Sequence, residues 1–242
     1  MITVLHLYPR ELGINGDVGN VMALAKRALW RGMPLRVVSH DIGSPLPESV
    51  HLVHIGSGPV SGQRLVRDDL ASIAPTLREW AAAGVPFLAI AGGWQLLGRS
   101  LTHTDDSIWE GAGIFPSSAV LTSERAVDEV AASGDIAGFE NHGAVTTLLD
   151  GAGPLCVTTH GRGNAAGSGP SRGAAEGVIV GASIGTNLHG PFLPMNPSWA
   201  DRLLERAAAL SGDVFGADDG HCAEVDEYAQ KSRSAIRNRL GV

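Results

Sequence analysis

Cysteine is nearly missing from this chain: among 242 residues only Cys156 and Cys222 occur. They sit in unrelated contexts, which excludes a disulfide framework and a thiolate zinc site, and both are expected to be inert. Aromatic residues are sparse, whereas Gly and Ala are abundant. No apolar run approaches the roughly 20 residues needed to span a bilayer. Basic residues are in deficit: 18 Lys and Arg face 25 Asp and Glu, a formal net charge of −7. Nucleic-acid and anionic-membrane surfaces both need basic patches, so neither is expected. The opening "MITVLHLYPR" enters a strand-like segment directly, without the basic n-region and cleavage site of a leader. What remains is an acidic protein expected in the cytoplasm, long enough to bury a substantial core.

Along the chain, "ITVLHL" (2–7), "PLRVVSH" (34–40), "VHLVHIG" (50–56) and residues 86–91 are apolar runs that read as strands. Helical spacing separates them. Val18, Val21, Met22, Ala25, Ala28 and Leu29 recur at three- and four-residue intervals, with Asp17 as candidate N-cap and Gly32 as stop. Leu70, Ile73, Leu77 and Trp80 do the same over 65–83, where Pro75 predicts a kink or two short helices. Strands that are apolar runs, alternating with helices, predict an α/β fold with a mostly parallel sheet covered on both faces. In such sheets ligands sit beyond the carboxyl ends of the strands.

The second half changes character. "SSAVLTS", "DIAGFENHG", "AVTTLL" and "LCVTTHG" are short strand-like pieces between turns, a more antiparallel pattern. Residues 161–177 are Gly-rich and predict a surface loop. "VIVGASIGTNLHGP" returns to a strand ending at His189, and helices are expected near 197–211 and 220–239. No repeat or linker divides the chain, so residues 1–242 are expected to form one domain with the C-terminal helices packed on it.

"FLAIAGGWQLLG" (87–98) is a strand, a glycine-tight turn and a helix running from about Gly93 to Leu101. This is the frame of a nucleophile elbow, which lifts a reactive side chain over helix N-terminal amides. The residue at its apex is Ala91, which carries no nucleophile. A base must approach such an elbow, and His is the usual choice. His189, before Gly190-Pro191, ends a strand at the same kind of sheet edge.

These pieces, in order, resemble class I glutamine amidotransferases of the cobyric acid synthase-like branch. "AIAGGWQLLG" is similar to that family's "I-C-G-G-[YFW]-Q-x-L-G" elbow. "LYPRELGINGDVGN" is similar to its "Y-x-D-x-G-N" start, and "IGTNLHGPFLPMNP" to its "G-T-Y-L-H-G-P-x-L-P-x-N" block. "EGAGIF" and "GFENHG" resemble further stretches of the glutaminase subunits that pair with MurT-like, Mur-ligase-type synthetases in amidating the D-glutamate of lipid II. The resemblance implies a three-layer α/β sandwich with extra strands in the second half, and hydrolysis of glutamine with ammonia passed to that partner. It places Ala91 at the position of the nucleophilic Cys and His189 at that of the base. Arg125 falls where those subunits hold the glutamine substrate. Gly92, Gly56, Gly58 and Gln95 line the substrate and oxyanion side, while Asp17 and His142 support the site.

Residue by residue, plainer readings stand beside these. Asp17 could be only a helix cap, Arg125 a solvated surface residue and His142 a turn residue. His51 and His54 have no metal-ligand spacing and fit strand-edge roles; Trp94 fits the pocket rim. No metal or cofactor is implied in the chain, and ATP belongs to the partner, since no P-loop occurs. One departure stands out: the family's "G-G-G-x-D-x-E-Q" loop is here "GSGPVSGQ" (56–63), without its acidic members. The Glu found two residues beyond the His in many class I amidotransferases is Pro191 here, as in the glutaminase subunits that the chain resembles. Without a thiol no covalent route from glutamine exists. Ala91 therefore marks either a Cys→Ala replacement in a glutaminase or a natural pseudo-amidotransferase serving as a glutamine-binding or scaffold subunit. An amidotransferase serving a different acceptor is the third reading.

Overall fold

The computed structural model describes residues 1–242 apart from Ser168, Pro170 and Gly190. Gly190, beside the expected base, and two positions of the Gly-rich stretch therefore lie outside the described residues.

Strand β1 (Ile2–Leu7) leads into helix α1 (Val18–Trp30), then β2 (Leu35–His40), β3 (Leu52–Ile55), helix α2 (Val60–Ala82), β4 (Phe87–Ile90) and the short helix α3 (Gly92–Leu97). Next come β5 (Ser100–Thr102), β6 (Ile108–Glu110), β7 (Ser117–Ala132), β8 (Ala137–Leu148), β9 (Cys156–His160) and β10 (Ala175–Glu176). The chain returns through β11 (Val178–Val180), β12 (Ser183–Thr186) and β13 (Leu188–His189) and ends in α4 (Phe192–Met195), α5 (Pro197–Ser211) and α6 (His221–Leu240).

Among the described residues, one sheet has six strands in the order β11-β12-β4-β3-β1-β2, parallel except for the β11–β12 hairpin. Both faces of the inner strands β1, β3, β4 and β12 are covered, which is why they read as apolar runs, whereas edge strand β2 is mostly exposed or half-buried. Leu5, Leu7, Val53, Ile55, Phe87 and Ala89 pack against Val66, Leu70, Ala74 and Leu77 of α2. Ile2, Val4, Leu52, Leu88, Ile90 and Ile184 face Leu24 and Ala28 of α1 and Leu203, Leu204 and Ala207 of α5. A second, seven-stranded sheet holds β10-β9-β7-β5-β6 with β8 and β13 attached. It shares the α2-side core through Leu101, Trp109, Ala119 and Ala144.

Several expected elements differ. Helix α2 is continuous over 23 residues despite Pro75. Pro75 and Ala71, whose carbonyl loses its donor, both lie on the solvent side, where water replaces the missing bond. Helix α3 stops at Leu97, and Leu101 belongs to β5. "SSAVLTS" extends into the 16-residue β7, and "DIAGFENHG" fuses with "AVTTLL" into β8, because the two strands pair along most of their length. The strand toward His189 is broken into β11, β12 and β13. The Gly-rich stretch folds inward, with Gly161, Gly163 and Asn164 buried.

His6 and His54 form a buried pair on neighbouring β1 and β3, ring centroids 5.1 Å apart. Burial pushes the His6 imidazole down to about 4 and His54, also facing His6, to about 3. Both are folded in the neutral form, so the unfolded chain binds more protons as pH falls below about 6.5. Stability is therefore expected to be complete above that pH and to fall below it, by up to about 1.4 kcal/mol per pH unit for each histidine. Urea unfolding from pH 7.5 to 4.5 measures this slope, and His6→Gln should make it shallower.

Candidate active site

Ala91 lies between β4 and α3 with φ 41° and ψ −104°. A residue bearing a Cβ pays on the order of 1–3 kcal/mol for such a conformation and keeps it only where its surroundings over-determine it. Here the Ala91 N–H donates to the Thr186 carbonyl at 2.8 Å, and the Ala91 carbonyl accepts the Gln95 N–H at 2.9 Å. The glycines that follow answer a different demand. A Cβ would come within 2.5 Å of Gln63 Nε2 at position 92, and within 2.5 Å of the Gly56 carbonyl oxygen at position 93. At 93 the obstacle is the backbone at the end of β3 and the loop after it, so only glycine leaves room there; at 92 it is the movable end of the Gln63 side chain.

Strand β12 runs beside β4 with Thr186 paired to Ile90, so the chain reaches His189 at the same carboxyl end as Ala91. His189 is buried, with Nδ1 3.2 Å from Asp17 Oδ1. Its Nε2 has no hydrogen-bond partner among the described residues. Asp17 is fully buried, and its Oδ2 accepts the Ser57 N–H at 2.8 Å. It occupies the N-cap position of α1 but makes no side-chain cap bond, so the cap reading is corrected: the carboxylate is committed across the sheet edge. With Nδ1–H given to Asp17, the Nε2 lone pair of His189 is left free, the arrangement a general base requires.

The loop that carries Asp17 is pinned at its start. The Tyr8 hydroxyl donates to Asp69 Oδ2 at 2.7 Å, and His40 Nε2 meets the same oxygen at 2.9 Å. From below, His54 packs its ring between the Leu88 carbonyl, 3.0 Å from Nδ1, and the Asp17 carbonyl, 3.3 Å from Nε2. His54 was expected at a strand edge; it lies instead in the sheet interior under the Asp17 turn. His51 does sit near an edge, its Nδ1 accepting the Thr3 N–H at 3.0 Å.

A polar cavity of about 420 Å³ opens above the elbow, lined among others by Gly58, Ala91, Gly92, Gln95, Arg125 and His142. Gly56 lies beneath it, against the Asp17 side chain. His189 borders an adjoining cavity, and Asn15 and Asn141 line both. A cavity of about 490 Å³ between α1, α4 and α6 is larger but mostly apolar and holds none of the expected residues.

Arg125 reaches the cavity through a bulge. Leu121 pairs with Ala144 and Ala126 with His142, so residues 122–125 of β7 stand opposite Gly143 alone. Such bulges re-aim side chains. The Arg125 guanidinium is held by Asn141, at 2.7 Å from Oδ1 and 3.2 Å from the carbonyl oxygen. His142 is buried in the middle of β8, not in a turn. Trp94 is not at the rim: it is buried between the sheets, with Nε1 donating to Ser117 Oγ at 3.1 Å. Cys156 and Cys222 are buried and free, and burial raises both thiols, Cys222 to about 11.

Three cavity residues lacked a sequence argument. Gln63 reaches Gln95 Oε1 at 3.4 Å, and its place in the "GSGPVSGQ" loop was the one available signal. Asn15 takes φ 59°, which its Asn-Gly dipeptide could have suggested. Nothing local marked Asn141.

The chain matches the CobB/CobQ-like glutamine amidotransferase domain over residues 3–197. It is 32% identical to the lipid II isoglutaminyl synthase (glutamine-hydrolyzing) subunit GatD of Staphylococcus aureus, across 88% of this chain and 87% of that protein. Against the GatD subunit of Streptococcus pneumoniae the identity is 27%, across 85% and 80%. A solved glutamine amidotransferase structure superposes with a TM-score of 0.53 at 15% identity, across 88% of this chain and all of that one, a likeness of fold.

The strain at the elbow is testable without any substrate. Ala91→Gly should raise unfolding free energy by about 1 kcal/mol, since glycine takes positive φ without a Cβ clash. Urea denaturation measures it; a destabilised variant would show that the Ala91 backbone is unstrained.

Proposed function

Because the chain belongs to the CobB/CobQ-like glutamine amidotransferase domain family, we propose that it is a glutaminase-type subunit of an amidating complex of the lipid II isoglutaminyl synthase kind, silenced by Ala91. The carrying observation is the meeting of the Ala91 elbow, the Asp17–His189 pair and Arg125 around two adjoining cavities at one sheet edge.

With a thiol at position 91, the residues around the cavity support the following chemistry. His189 Nε2 takes the thiol proton, and sulfur attacks the side-chain amide carbon of glutamine. The backbone amides at Gly92 and Gly58, both of which line the cavity, would take the oxyanion that develops. Collapse breaks the C–N bond, and His189 returns the proton to the departing ammonia. Water, deprotonated by the same nitrogen, then cleaves the thioester to glutamate and restores the thiol. Asp17 keeps the imidazole in the tautomer that leaves Nε2 free, and Arg125 pairs with the substrate carboxylate. Gln95 and His142 complete the polar wall. Ammonia passes to a MurT-like synthetase, which also carries the ATP.

The Ala91 methyl cannot attack, so this chain as it stands is a glutamine-binding subunit. Its pocket, Arg125 and the Asp17–His189 pair are retained while the covalent step is gone. The altered "GSGPVSGQ" loop lies where this subunit would differ from relatives serving lipid II.

The test uses the chain alone and with a Mur-ligase-type synthetase. Calorimetry should detect glutamine binding to the Ala91 protein, with no ammonia release. Ala91→Cys should gain glutaminase activity by about 10³-fold or more, and Asp17→Asn in that background should remove about 10²–10⁴-fold of it. If Ala91→Cys binds glutamine and the synthetase yet releases no ammonia, the subunit is a scaffold rather than a silenced glutaminase. If neither form binds glutamine, the amidotransferase reading fails.

A further inference from the structure

Behind the elbow lies a buried carboxylate that the chemistry above does not use. Glu176, on the two-residue strand β10, is wholly buried. Its Oε1 accepts the Thr186 hydroxyl at 2.5 Å and the Asn187 N–H at 2.9 Å. Thr186 is a hub. Its Oγ1 donates to Glu176 and accepts the Leu188 N–H at 3.1 Å, while its carbonyl accepts the Ala91 N–H at 2.8 Å. His189 is the next residue after Leu188. Both positions thus hang from one corner, residues 186–188, and Glu176 Oε1 takes two of the hydrogen bonds that hold it.

A second carboxylate braces the corner from the other side. Glu140, also buried, accepts the N–H groups of Arg162 and Gly163 at 2.8–3.0 Å. The Gly163 carbonyl in turn accepts Asn187 Nδ2 at 3.2 Å. The Gly-rich stretch, expected as a surface loop, thereby adds a second link between β8 and the His189 corner, beside the direct pairing of β8 with β13.

We propose that Glu176 is a positioning residue, which through Thr186 and Asn187 holds the strained Ala91 backbone and the His189 strand in register with each other. Burial, and Glu140 nearby, raise its carboxyl, while the Thr186 hydroxyl and Asn187 amide lower it. The clamp does not depend on that balance, because both bonds converge on one acceptor oxygen. Glutamine at position 176 keeps such an oxygen; alanine does not.

The proposal concerns the site of the amidotransferase reading, but its first test is independent of catalysis. In the full chain, backbone hydrogen exchange is followed at Ala91, Asn187 and Leu188 and compared with amides of α6. Glu176→Ala should speed exchange at those three by about tenfold or more, leaving α6 unchanged, whereas Glu176→Gln should stay within about twofold of the parent. Thr186→Val breaks the same link without touching Glu176 and should loosen Asn187 and Leu188, which keeps the test open if Glu176→Ala does not fold. Unchanged protection in either loosening variant, or an equal loss throughout the molecule, would overturn the proposal. In the Ala91→Cys background, Glu176→Ala should lower kcat by about tenfold at nearly constant KM, and Glu176→Gln should restore it. A change confined to KM would also overturn it. Absence of turnover in Ala91→Cys itself counts against the glutaminase reading and leaves the exchange result to decide this one.

Discussion

The bond from the Ala91 amide to the Thr186 carbonyl joins the two halves of the site. It holds a Cβ-bearing residue at φ 41° where β4 turns into α3, and it does so from the strand that delivers His189. The strain at the elbow is thus maintained by the neighbouring strand and by the loop after β3, not by the side chain at the apex. This is why the elbow forms with only a methyl group at its apex. Conformation and chemistry are separable here: the fold enforces the first whether or not the second is present.

Buried acidic side chains follow the same logic. Asp17, Glu140 and Glu176 are each almost entirely enclosed in a chain that is acidic overall. An unpaired carboxylate in such places would be prohibitively costly, so each is met by backbone or side-chain donors. Asp17 takes Ser57 N–H and faces His189; Glu140 takes the Arg162 and Gly163 amides; Glu176 takes Thr186 and Asn187. Each carboxylate fastens a loop that no hydrophobic pattern could position. The three together set the carboxyl edge of the parallel sheet as a rigid rim.

Much of this was legible in the residues. The alternation of apolar runs and helical spacings carries the parallel sheet, and "AIAGG" with "NLHG" carries Ala91 and His189 to one edge, because strand direction alone decides which ends meet. Less legible were features that depend on contacts distant in sequence. The Asp17 carboxylate looks like a helix cap until Ser57 and His189 are folded against it. His54 has no motif, since its role is to fill the space beneath Asp17. The bulge that aims Arg125 arises from a register shift between two long strands, and neither strand reveals it alone. Pro75 marks a break that never forms, because the Ala71 carbonyl it leaves without a donor lies on the solvent side.

A structure of the chain with glutamine bound tests the central claim most directly, that this edge is a glutamine pocket whose geometry outlasts its nucleophile. The account requires the side-chain amide carbon in van der Waals contact with the Ala91 methyl, the α-carboxylate on Arg125, and His189 still paired to Asp17 with Nε2 facing the ligand. Glutamine seated elsewhere, or an imidazole turned away from Asp17 in the occupied site, would contradict it.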